Sequence, residues 1–167
     1  MVRLESFLQS WKTVRADAAQ AVEDFPQEDL DFTPAEGLMS YRQNARHILE
    51  AGNALVGLLL DGEEDFTAPG IRDKFKAYDS GLPADAAGTE LAAAMRASGE
   101  RLSAALAAQP PEFYGHFISG IGGHRMTRLE MLQFVKEHEL THRAQMFTYL
   151  RLKGIVPPTT RRKMAKK

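Results

Sequence analysis

The sequence predicts an all-α protein, a four-helix bundle with long connections after the second and third helices. Three observations carry this. Four segments place apolar residues at helical spacing over helical lengths, two of them open with a capping box, and no stretch alternates with the period of a strand. Each helix of about 20–25 residues would be roughly 30–38 Å long.

The first helix runs from Leu4 to about Phe25. Leu4, Leu8, Trp11, Val14, Ala18, Ala21 and Val22 form its apolar stripe, and Pro26 stops it. An acidic, turn-rich loop follows. The second helix opens at Ser40, where Ser40 and Gln43 can satisfy each other's backbone N–H groups, and closes at Asp61-Gly62. The third spans about Thr89 to Ala108, is rich in alanine, and ends before Pro110-Pro111. The segment "EFYGHFISGIGGHRM" reads as a glycine-rich loop. The fourth helix begins at Thr127, with Glu130 completing its box, and continues to Lys153 with Gly154 as its stop. Domain boundaries follow: a bundle over 1–158 and a basic, flexible tail over 159–167.

Composition narrows the function. The chain has 167 residues, a net charge of −1 and no cysteine. No strong field points to nucleic acid or a membrane surface. Disulfides, thiolate ligands and a cysteine nucleophile are absent, so a metal site must use His, Asp or Glu. No apolar run is long enough to span a bilayer, and "MVRLESFLQSWKTVRAD" lacks a signal-peptide core. The expected compartment is a bacterial-type cytoplasm. The basic stretch from Arg161 contains no aromatic residue, which argues against a nucleic-acid partner.

The chemistry centres on His138-Glu139-Leu140-Thr141-His142, an H-E-x-x-H pattern. Histidines four apart share a helix face and can reach one ion. They interrupt a stripe holding Met131, Phe134, Val135, Gln145, Met146 and Tyr149, where unpartnered imidazoles would cost about 1–3 kcal/mol each. A zinc-protease reading fails, because its third ligand lies downstream. After Glu139 there is no Asp or Glu, and after His142 there is no His. The third ligand must come from upstream, and His47 in the second helix is the best candidate, since bundles build metal sites across facing helices. Asn44, Glu50 and Gln145 lie within a turn of these histidines and are candidates to hold their outer ring nitrogens. Glu139, Glu50 and His124 are the neighbours considered for proton transfer, and no catalytic acid or base is assigned. Glu139 is rotated about 100° from His138, so it orients a neighbour or faces solvent. Arg143 reads as a salt-bridge residue, and "GIGGHR" as a flexible connection in preference to an anion cradle.

His47, then His138, His142, Arg143, Ala144 and Gln145, then Arg151, Gly154, Pro157 and Pro158, resemble in order the motifs of the DinB-like superfamily of metal-binding four-helix bundles. The resemblance spans almost the whole chain. Alanine stands at position 144, where the family often has glycine, and the second helix lacks a tryptophan that some relatives carry. The resemblance implies a three-histidine site at His47, His138 and His142 for a divalent metal, zinc or nickel. Relatives include bacillithiol S-transferases, mycothiol-dependent isomerases and metal-dependent hydrolases. The expected function is therefore a metal-dependent enzyme that activates a low-molecular-weight thiol for S-transfer. Hydrolysis by activated water and a non-catalytic metal-binding or structural bundle, associating as a homodimer, are the alternatives. Either enzyme takes a small-molecule substrate.

Overall fold

A computed structural model describes residues 3–165, and Lys166 and Lys167 of the basic tail lie outside them. Seven helices are present among these residues: α1 (Leu4–Asp24), α2 (Tyr41–Leu60), α3 (Ile71–Phe75), α4 (Gly88–Ala107), α5 (Pro111–Gly115), α6 (Arg128–Leu152) and α7 (Pro158–Met164). The four long ones form the bundle. Around it, α1 packs on α4 and α6, and α2 packs on the same two helices, so α1 and α2 face each other across the diagonal. The long connections make this order possible.

The helix starts follow the local chemistry. Ser40 Oγ accepts from Gln43 N at 3.2 Å while Gln43 Oε1 accepts from Ser40 N at 2.8 Å. Thr127 and Glu130 do the same for α6, at 3.2 and 2.6 Å. Gly154 ends α6 with φ +73°, a left-handed conformation that suits glycine.

Two expectations are corrected. The glycine-rich segment is an antiparallel ribbon, β1 (Phe117–Ser119) with β2 (Arg125–Thr127), and β1 also bridges to Asp65. Strands of three residues are too short to show a period. The basic tail is helical from Pro158 to Met164 and docks on α1, because acidic groups far away in sequence neutralise it. Arg161 pairs with Asp24 at 2.5 Å, and Arg162 with the nearly buried Asp17 at 2.5 Å.

The core is divided. One apolar cluster gathers Ala18, Val22, Tyr41, Leu49, Leu91, Met95, Met146 and Leu150. The other gathers Trp11, Leu55, Leu59, Leu102, Leu106, Met131 and Val135. Between them, each long helix contributes a buried polar side chain to a shared layer: Arg15, Asn53, Ser98 and Glu139. No helix among the described residues is long and apolar enough to cross a membrane.

Candidate metal centre

α2 and α6 pack side by side, and this brings His47 to the two histidines of α6. The ring centroids of His47, His138 and His142 lie 4.8, 4.5 and 4.6 Å apart, mutually near edge-on. His47 Nε2 and His138 Nε2 are 3.0 Å apart. All three rings offer one nitrogen within 4.8 Å of the others.

His142 is held from outside. Its Nδ1 lies 3.0 Å from Asn44 Oδ1 and 3.1 Å from Gln145 Oε1. Both partners only accept, so Nδ1 carries the proton and Nε2 is left with a free lone pair. Asn44 is itself oriented, its Nδ2 donating to the Ser40 carbonyl at 3.5 Å. The helix cap thus reaches the site through one amide. His138 Nδ1 is buried without a hydrogen-bond partner, and its ring lies against Phe134 at 6.3 Å. Glu50 does not touch the rings. It pairs with Arg46 at 2.7 Å and accepts from Ser80 at 3.1 Å, on the wall of a cavity of about 310 Å³ that also includes His47, Ala51, Phe75, Lys76 and Asp79.

The rings are half-buried rather than central. Phe134 and Gln145 beside them are exposed, so the histidine face of α6 lies at the rim of the α2–α6 seam. The residue of H-E-x-x-H that enters the bundle is Glu139, with 0 % exposure. Arg15 grips it with Nε at 3.0 Å and Nη2 at 2.9 Å from Oε1. Burial pushes its carboxyl up, and the guanidinium opposes this. Glu139 therefore neither faces solvent nor stands free as a base. The sequence did carry a signal: Leu132, Val135, Glu139 and Met146 lie at core spacing, and Arg15 interrupts the stripe of α1 between Trp11 and Ala18.

The remaining candidates lie elsewhere. His124 is exposed in the ribbon turn, and the nearby His116 pairs with Glu64 at 2.8 Å on the surface. Arg125 stacks on Phe117 at 3.6 Å, and the start of α6 is occupied by its own cap, so no anion cradle forms. Arg143 pairs with Asp17 at 3.2 Å, as a salt-bridge residue should.

The electrostatics favour neutral rings. Burial lowers His47, His138 and His142 below the ordinary value of 6.5. His138, which also faces both other rings, is pushed down to about 4. Between these values the unfolded chain binds protons that the folded rings refuse, so stability falls as pH drops from about 6.5 towards 4. Thermal midpoints of the metal-free protein should drop between about pH 7.5 and about pH 5, and the drop should shrink in His138→Ala.

These residues fit a divalent ion. They supply neutral nitrogens, one ring tautomer is fixed by its neighbours, and two of the nitrogens are spaced as Zn–N lengths of about 2.0–2.1 Å allow.

The sequence model of the DinB superfamily matches residues 10–146. No curated protein matches the chain. A DinB-like protein from Bacillus cereus is similar in structure, with TM-score 0.70 and 21% identity over 92% of this chain and 95% of that one. YfiT from Bacillus subtilis, a probable metal-dependent hydrolase with an unusual four-helix bundle topology, gives TM-score 0.71 and 22% identity over 91% and 88%. A mycothiol-dependent maleylpyruvate isomerase gives 0.64 and 19% over 87% of this chain and 61% of that one. Identities this low establish the shared fold and nothing about substrate.

Proposed function

The chain belongs to the DinB superfamily, and from that premise we propose that it is a metal-dependent enzyme acting on small molecules, with His47, His138 and His142 as ligands of a zinc or nickel ion. The observation that carries the reading is the convergence of three imidazoles from two helices. Three protein ligands leave a position open, the pattern of catalytic sites. When bound, the ion supplies Lewis acidity that lowers the pKa of a thiol or a water beside it.

Transfer of a low-molecular-weight thiol is the favoured chemistry. Hydrolysis needs a base to move the proton of water, and Glu139 is locked against Arg15. A thiol is more acidic to begin with, and the chain has no cysteine to compete for the ion. One observation favours the hydrolytic alternative: Glu50 shares a cavity wall with His47. In either case Asn44 and Gln145 orient His142, and the cavity beside His47 receives the substrate. Cytoplasmic residence belongs to the same reading, where such thiols stay reduced.

Protein purified without chelators should carry about one divalent ion per chain by elemental analysis. The loaded protein should then couple a low-molecular-weight thiol to monobromobimane or chlorodinitrobenzene faster than the metal-free form. No stoichiometric metal removes the reading. Turnover of esters without thiol transfer replaces it with the hydrolase, and metal without turnover of either kind leaves a non-catalytic metal-binding bundle.

A further inference from the structure

The polar layer in the bundle interior is built around one guanidinium. Arg15, on α1, is 1 % exposed and bonds to each of the other long helices. It reaches Glu139 on α6 at 2.9 Å, Ser98 Oγ on α4 at 2.5 Å, and Asn53 Oδ1 on α2 at 3.4 Å. Its Nη2 also donates to the main-chain carbonyl of Ile48, at 3.3 Å. Two of these partners have a common property. Glu139 follows His138 directly, and Ile48 follows His47 directly.

One planar group is thus bonded next to a site histidine on each of the two helices that carry them. The Nη2 atom alone makes both bonds. Guanidinium donors have fixed mutual directions, so the distance between the Ile48 carbonyl and the Glu139 carboxylate is set by the fork. The helices approach closely here because position 52 is glycine. A Cβ on Gly52 would collide with both Arg15 Nη2 and Glu139 Oε1. Gly99 on α4 leaves only 3.3 Å between such a Cβ and Arg15 Cδ.

A buried ion pair is a poor device for stability, since apolar residues of similar size often serve as well or better. It can instead specify one arrangement. We infer that Arg15 and Glu139 are positioning residues, which hold α2 and α6 at the separation and register where His47 meets His138 and His142. The inference rests on the proposed metal site and assigns a role to the one H-E-x-x-H residue that this site does not use.

The test uses Co²⁺ as probe, with affinity and visible d–d spectrum as readouts. The double variant Arg15→Met/Glu139→Leu removes the fork and fills its space with apolar atoms, so its unfolding midpoint should stay near that of the wild type. Its Co²⁺ affinity should fall about 10–100-fold with a changed spectrum, the range seen when groups behind metal ligands are removed. Arg15→Lys, which keeps the charge but cannot bridge Glu139 and Ile48 in fixed directions, should lose affinity in the same sense, and it decides the matter if the double variant fails to fold. Wild-type affinity and spectrum in a folded variant overturn the inference while leaving the metal site in place. A wild-type protein that takes up no Co²⁺ overturns both.

Discussion

Glu139→Leu is expected to lower the unfolding free energy by about 3–5 kcal/mol. The substitution removes the only carboxylate in contact with Arg15 among the described residues and leaves a guanidinium sealed between two apolar clusters. Arginine does not escape by losing its proton. Ser98 and Asn53 still offer oxygens, but neither carries a charge. Denaturant titration should show the shift in midpoint, and adding Arg15→Met to the same chain should recover most of it. That recovery separates an unpaired charge from a hole in the packing.

His142→Ala is expected to lower the affinity for a divalent ion by more than about 100-fold, beyond what loss of a supporting neighbour usually costs. Two imidazoles would remain. The ring removed is the one whose orientation is fixed from outside by Asn44 and Gln145. His124→Ala is the control, because His124 is exposed in the turn of the ribbon. Titration with Zn²⁺ or Ni²⁺ checks both, and equal affinity in the two variants would remove His142 from the site.

The long helices were legible because their signals are local. Ser40 with Gln43, Thr127 with Glu130, and the Gly154 stop act within a few residues of the elements they bound. The convergence of the three histidines was legible for a related reason: a spacing of four defines a shared face, and exclusion of downstream ligands turned the search upstream, where His47 was the best candidate. Asn44 and Gln145 followed from their place within a turn of a histidine, whereas Glu50 had the right spacing but found Arg46 and Ser80 instead. What was not legible depended on partners far away in sequence. The basic segment after Pro158 is helical because Asp17 and Asp24 of α1 receive it. Glu139 is buried because Arg15 awaits it, and neither residue alone announces the other. The ribbon was missed for want of length, since three residues per strand give no alternation to read.

The diagonal placement of α1 and α2 has a consequence for synthesis. Every long helix that touches α1 extensively comes later in the chain, and the carboxylate that neutralises Arg15 is on the last of them. A growing chain therefore holds a cation with no counter-charge where its interior will form, until α6 has left the ribosome. Closing the first three helices alone would bury that cation without a carboxylate, a cost that the arrival of α6 removes.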